Sequence, residues 1–122
     1  MCKKILLKQI CNYLHVFSEN YEGPSILSNP VDTVAQPGID ISLYCITRGQ
    51  PTPSVTWEKD DAPLKGNHFD VLQNGGLRLK KVDEYRDSGN YRCRSSNPVG
   101  EIKSLPARLD FPCKLGYLKN WL

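Results

Sequence analysis

The chain has 122 residues, 39% of them hydrophobic, and a formal net charge of +3. That is enough chain for one domain with an ordinary core, and no apolar run approaches the length of a membrane-spanning helix. The basicity sits at the two ends: positions 31–110 carry 11 Lys+Arg against 11 Asp+Glu, so the middle lacks the concentrated positive charge of a nucleic-acid binder.

The first 23 residues read as a leader or loosely ordered segment. Leu6, Ile10 and Leu14 recur at helical spacing, with Leu7 and Cys11 beside them and Lys3, Lys4 and Lys8 keeping the stretch basic. The basic start suits a secretory signal, but Lys8 and Gln9 interrupt the apolar run and no small-residue cleavage site follows. A degraded signal, a short amphipathic helix and a tail foreign to the fold all remain open.

Residues 24–110 read as many short strands separated by turn residues. In GIDISLYCI, Ile39, Ile41, Leu43 and Cys45 share one parity. Val55 and Trp57 share a side in SVTWEK, and Leu77 and Leu79 do so in GLRLKKV. Tyr91, Cys93 and Ser95 alternate with Arg92 and Arg94. Each strand thus has one apolar face, which predicts an all-β sandwich of two sheets rather than a parallel sheet buried on both sides. The turns fall between these runs: Gln36–Gly38, Gly49–Pro53, Asp60–Asp61 and Gln73–Gly76, with VDEYRDSG as a crossing loop between the sheets. The last 12 residues, FPCKLGYLKNWL, are too few for a domain and read as a tail or linker, with Leu115, Leu118 and Leu122 loosely at helical spacing.

Cys93 stands among polar residues in DSGNYRCRSSNPVG, so a catalytic thiol has to be weighed. Such a thiol needs a base to raise its thiolate fraction. The two histidines, His15 and His68, are placed near it by no motif. No carboxylate–histidine spacing suggests a metal site, and no cofactor motif occurs.

The succession Pro37-Gly38, Leu43-x-Cys45, Trp57, Leu77-x-Leu79, Val82, Asp87-x-Gly89-x-Tyr91-x-Cys93, Asn97 and Gly100 resembles an immunoglobulin domain of the intermediate set. It further resembles modules of neuronal adhesion and axon-guidance receptors. The resemblance implies a Greek-key sandwich and a Cys45–Cys93 disulfide linking the facing sheets, with Trp57 packed over it. It gives Tyr91 a hydroxyl bonded to nearby backbone, Asp87 the role of accepting backbone hydrogen bonds in the turn, and Gly89 that of permitting a tight path. Asn97 and Gly100 frame a hairpin into the last strand. Cys2, Cys11 and Cys113 fall outside this pattern, and the odd cysteine count leaves at least one unpaired or shared with another chain.

Two departures stand out. Ser95 occupies a position where the family often has Ala, and its hydroxyl needs a partner. In EIKSLPARLDF, Ile102 is out of parity with Leu105, Ala107 and Leu109, which a bulge near Lys103–Ser104 would repair. Pro106 cannot donate to a ladder and points to an edge.

Two basic stripes remain, Arg78 with Lys80 and Arg92 with Arg94. They are solvated strand faces or contacts for acidic glycans or a protein partner, diluted by Glu58 and by Asp83–Glu84. Thr56 and Glu58 are expected to point outward beside Arg92 and Arg94. The chain is thus expected to be a non-enzymatic extracellular recognition module of an adhesion or guidance-type receptor and a piece of a larger protein. Its expected partner is another cell-surface protein, with weak heparin or heparan sulfate binding aided by Lys114 and Lys119. No nucleic acid, membrane span, metal or cofactor is expected. A spacer in a tandem array and an intracellular muscle-type module of the same fold are the alternatives. No N-glycosylation sequon occurs.

Overall fold

A computed structural model describes residues 20–113. Cys2, Cys11, the helical spacing over 6–14, Lys114 and Lys119 lie outside the described residues. The strands are β1 (Glu22–Ser28), β2 (Thr33–Val34), β3 (Ile41–Leu43), β4 (Ile46–Gln50), β5 (Ser54–Lys59), β6 (Ala62–Pro63), β7 (Phe69–Val71), β8 (Leu77–Leu79), β9 (Gly89–Asn97), β10 (Gly100–Lys103) and β11 (Ala107–Asp110), with one helical turn, α1 (Glu84–Asp87), before β9.

They form the two layers that the alternating faces predict. One layer runs β2-β11-β9-β5-β6, with β10 also paired to β9. The other consists of β1-β4 and β3-β8-β7, where β3 and β4 are parts of one run interrupted only at Tyr44 and Cys45. All pairings are antiparallel except β2 with β11, which is parallel. β1 starts at Glu22 and Phe111 packs against the core, so ordered contacts extend slightly past 24–110 at both ends.

Turn chemistry sets the registers. Asp60 and Asp61 have φ of 50° and 65°, the left-handed pair of a two-residue hairpin, and they close Lys59 against Ala62. Gly75, at φ 89°, sits in the connection from β7 to β8, where the Leu72 amide donates to the Gly76 carbonyl at 2.7 Å. The crossing loop contains α1, whose N-cap Asp83 accepts from the amides of Tyr85 and Arg86 at 2.7 and 3.1 Å.

The core lies between the layers. Leu43, Leu77, Leu79, Tyr91, Cys93 and Leu109 are buried there, joined by Val82 and Ala35. Ile39 is a correction: expected to face inward, it is 48% exposed. β3 begins only at Ile41, and Ile39 belongs to the preceding turn, where its carbonyl accepts from the Val82 amide.

The last strand is a second correction. β10 and β11 both pair with β9, but Lys103 opposes Arg94 and Ala107 opposes Tyr91: four steps on one side match three on the other. Ser104 still keeps the β10 register, its amide donating to the Cys93 carbonyl at 2.9 Å. The extra residue therefore falls at Leu105–Pro106, not at Lys103–Ser104. Pro106 has no amide to offer the ladder, and Leu105, expected to face inward, is 67% exposed.

Cys45 and Cys93 form a disulfide across the two layers, with Cα atoms 6.4 Å apart. Trp57 lies opposite Cys93 on β5 in the same buried cluster, and its indole Nε1–H donates to the Gly75 carbonyl at 2.8 Å. Cys113 is free and exposed. Closing a loop of 48 residues removes about 4 kcal/mol of unfolded-state entropy in the chain model. Replacing Cys45 or Cys93 by Ala is expected to lower unfolding free energy by about 2–5 kcal/mol. Urea titration of the purified chain reads this out, and an unchanged midpoint would contradict it.

Candidate functional site

The residues singled out in DSGNYRC converge on one buried knot. The Asp87 carboxylate is fully buried. It accepts from the Asp83 amide at 2.8 Å, from Arg86 Nη2 at 2.8 Å and from Arg86 Nε at 3.0 Å, and His68 Nε2 lies 3.4 Å away. A buried charge is tolerated only when paired and hydrogen-bonded in this way. The pairing also holds the Arg86 guanidinium further in its protonated form. Arg86 fastens the loop in turn by donating to the carbonyls of Lys80 and Lys81 at 3.1 and 3.0 Å.

The Tyr91 hydroxyl donates to the Asp87 carbonyl at 2.6 Å. Burial, and then the Asp87 charge, pushes the Tyr91 phenol well above its ordinary value, so it stays a donor. Gly89 has a reason the sequence did not show. A Cβ at Gly89 would stand 2.7 Å from Asp60 Oδ2, because the Asp60 carboxylate folds back to accept the Asn90 amide at 2.9 Å. This knot of hydrogen-bonded side chains explains the shape of the turn. Among the described residues no group of His, Cys, Asp and Glu is placed to hold a metal ion.

At the opposite end of β9, Asn97 ties three segments together. Its Nδ2 donates to the carbonyls of Glu22 and Pro51 at 2.7 and 3.1 Å, while Oδ1 accepts from the amides of Val99 and Gly100 at 3.0 and 3.3 Å. Both halves of the amide are satisfied, which fixes the hairpin into β10.

Between these ends lies the outer face of β5, β9 and β10. Thr56 opposes Arg94, Arg94 opposes Lys103 and Glu58 opposes Arg92. The structure corrects one member of the expected surface. Glu58 is only 6% exposed, because Lys103 lies over it, Nζ to Oε1 3.0 Å. Arg94 is bound to Glu101 at 2.7 Å, which raises its affinity for its proton. Arg92, half-buried, has no ion pair among the described residues. The other stripe is neutralised as well: Arg78 meets Asp40 at 2.8 Å and Lys80 meets Asp70 at 3.5 Å. No signal in the sequence marks which cation is left over, since each ion pair depends on register between strands.

Residues 24–106 match the model of the immunoglobulin I-set domain. The chain belongs to this family. It is a non-enzymatic immunoglobulin domain, and its I-set core carries the disulfide already described. Human Roundabout homolog 2 is 33% identical over 84 residues, which cover 69% of this chain and 6% of that protein. Among solved structures, the N-terminal Ig1-2 module of the Drosophila receptor protein tyrosine phosphatase DLAR superposes with a TM-score of 0.69 at 26% identity, covering 74% of this chain and 46% of that one. A chain from the complex of titin M10 with an obscurin-like 1 immunoglobulin domain gives 0.67 at 28% identity, covering 75% and 95%. The chain thus spans a small part of the length of its receptor-type relative.

The departure at Ser95 yields a test. Its Oγ is buried without a hydrogen-bond partner among the described residues, whereas neighbouring Ser104 accepts from the Cys93 amide at 3.0 Å. Ser95→Ala is expected to raise unfolding free energy by about 1 kcal/mol, because an unsatisfied buried hydroxyl is removed, and Ser104→Ala to lower it. Urea midpoints decide both.

Asp60 yields a pH test. The Asn90 amide holds its carboxyl below the usual range. A folded-state value below the unfolded one stabilises above the unfolded value, and the gain is lost as pH falls through the folded value. Asp60→Asn is therefore expected to flatten the acid limb of stability below about pH 4. Unfolding midpoints collected from neutral to acid pH show whether the slope changes.

Proposed function

We propose that this domain is a recognition module of a larger extracellular protein of the adhesion or guidance-receptor type, and that it meets a protein partner on the outer face of β5, β9 and β10. The observation carrying this reading is Arg92, the one member of the expected surface left without an ion pair among the described residues. It stands directly opposite Glu58, whose carboxylate Lys103 holds, and two positions along β9 from Arg94, which Glu101 holds. A lone guanidinium on a face of small and paired side chains suits a single carboxylate on a partner, with complementarity setting specificity more than affinity.

The disulfide supports an oxidising compartment. An intracellular module of the same fold would meet reducing conditions, in which such a bridge does not normally persist. Family membership supports a role in recognition, as does the receptor named among the similar structures.

The heparin reading is weaker on this face. Arg94 and Lys103 are each bound to a carboxylate, so a sulfated chain finds one free cation rather than three. Retention on heparin is expected to be slight and lost at modest salt.

Binding of the chain to arrayed ectodomains of immunoglobulin-type receptors, and to a heparin column, tests the proposal. Arg92→Glu is expected to weaken binding to the captured ectodomain by about tenfold or more, the scale of one desolvated charge contact. Arg94→Glu is expected to act less, because Glu101 already occupies that side chain. Loss of heparin retention with ectodomain binding intact would favour the glycan. Binding to no ectodomain, or indifference to both substitutions, would favour a spacer.

A further inference from the structure

β10 lies at the flank of the larger sheet with all four of its residues exposed. Its pairing parity is fixed by Ser104, whose amide donates to the Cys93 carbonyl. Stepping back by two along each strand, Ile102 with Ser95 and Gly100 with Asn97 are the hydrogen-bonded pairs. Glu101 and Lys103 are the alternating ones, so their backbone N–H and C=O groups point away from β9. Among the described residues β10 pairs only with β9. β1 runs beside it, tied at its ends where Asn97 donates to Glu22 and the Leu105 amide donates to Asn29 Oδ1 at 2.9 Å, but its own ladder is with β4. An edge of free backbone groups is a template for another strand.

Charged residues on an edge ordinarily keep other strands away. Here their order does the opposite for one particular strand. Gly100-Glu101-Ile102-Lys103 is charge-complementary to itself about Ile102. When a second β10 lies antiparallel with Ile102 facing Ile102, each Glu101 faces a Lys103 and each Lys103 a Glu101. The outward backbone groups of Glu101 and Lys103 then form the hydrogen-bonded pairs. The two Ile102 residues, each 38% exposed in the single chain, form the close non-bonded pair at the dyad. Within one chain Lys103 stands directly opposite Arg94, and Glu58 and Glu101 compensate the two charges. Glu101 of the second copy brings a further carboxylate to Lys103 from across the dyad.

We propose that β10 is a self-association edge, through which two copies of this chain join their larger sheets about a two-fold axis at Ile102. The second copy adds in the plane of the larger sheet, along the edge of β10 away from β9, while the ladder of β1 is with β4 in the other layer. The contact is four residues long and falls well short of the interface area of a tight complex. It is a weak, isologous contact that gains strength where several copies are held together. It goes beyond the proposed recognition face and does not depend on it, because Arg92 takes no part.

The test uses the full chain with accessible thiols alkylated, so that Cys113 cannot crosslink copies. Sedimentation velocity from micromolar to millimolar concentration is expected to show a monomer–dimer equilibrium. Glu101→Lys alone and Lys103→Glu alone each put like charges opposite one another twice and are expected to weaken dimerisation by about tenfold. The double exchange is expected to restore it, and mixing the two single variants is expected to give a heterodimer. Amide hydrogen exchange on the unmodified chain adds a readout that needs no variant: the Glu101 and Lys103 amides, without a partner in the monomer, are expected to slow as concentration rises. A chain that stays monomeric at millimolar concentration overturns the proposal. So does a dimer indifferent to the charge exchanges, or one whose Glu101 and Lys103 amides exchange at a concentration-independent rate.

Discussion

The covalent link between Cys45 and Cys93 is the constraint on which the rest of this domain depends. The two sheets share no backbone ladder around it, and the bridge fixes their spacing at the middle of β9 and at the junction of β3 with β4. Everything buried is arranged about that point. Trp57 sits opposite Cys93 and reaches the β7–β8 connection through its indole N–H, so the bridge and the turn at Gly75 hold each other in place. A two-layer domain of about ninety ordered residues buries a modest fraction of its surface, and a cross-layer staple offsets part of that shortfall by restricting the unfolded chain.

The polar knot at Asp87 does a different job. Apolar packing presses the sheets together without dictating how the chain crosses between them. The crossing is dictated by a carboxylate with no exposure to water, which must find donors. It finds them in the Asp83 amide and Arg86, and the same residue's carbonyl receives Tyr91. The loop has one conformation because alternatives strand a buried charge. The outer face of β5, β9 and β10 follows a looser rule: its charges are half in water, and pairing there decides which side chains remain available rather than whether the fold forms.

The features legible in the sequence are those whose cause is local. Period-two alternation gives the inward faces of β5, β8 and β9, and left-handed turn residues give the hairpins at Asp60–Asp61 and Gly75. The family pattern adds the disulfide, the tyrosine hydroxyl and the turn acid. The features that escaped depend on where a strand lies against its neighbour. Burial of Glu58 requires Lys103 to come from two strands away. Glycine is needed at 89 because Asp60, distant in sequence, folds beneath it. The extra residue at Leu105–Pro106 was foreseen in kind but misplaced, since alternation reveals that parity must change without saying where. Nothing local reports that Ser104 rather than Lys103 keeps its bond to β9.

The chain enters and leaves this domain at opposite poles, and that has a mechanical meaning. Glu22 is held beside Asn97 at one end of β9, and Asp110 receives the Ala35 amide near the other, where Leu109 opposes Gly89. Nine residues of strand separate the poles, about 30 Å at the usual rise. A pull applied between residues 22 and 110 therefore runs along the strands. It loads the parallel β2–β11 ladder and the β1–β4 ladder in shear, so that several backbone bonds must give together rather than peel away one by one. If those ladders slide, the 48-residue stretch between Cys45 and Cys93 still cannot lengthen, and the domain yields only the chain outside the bridge. As a link in a string of domains it has a fixed limit to its extension.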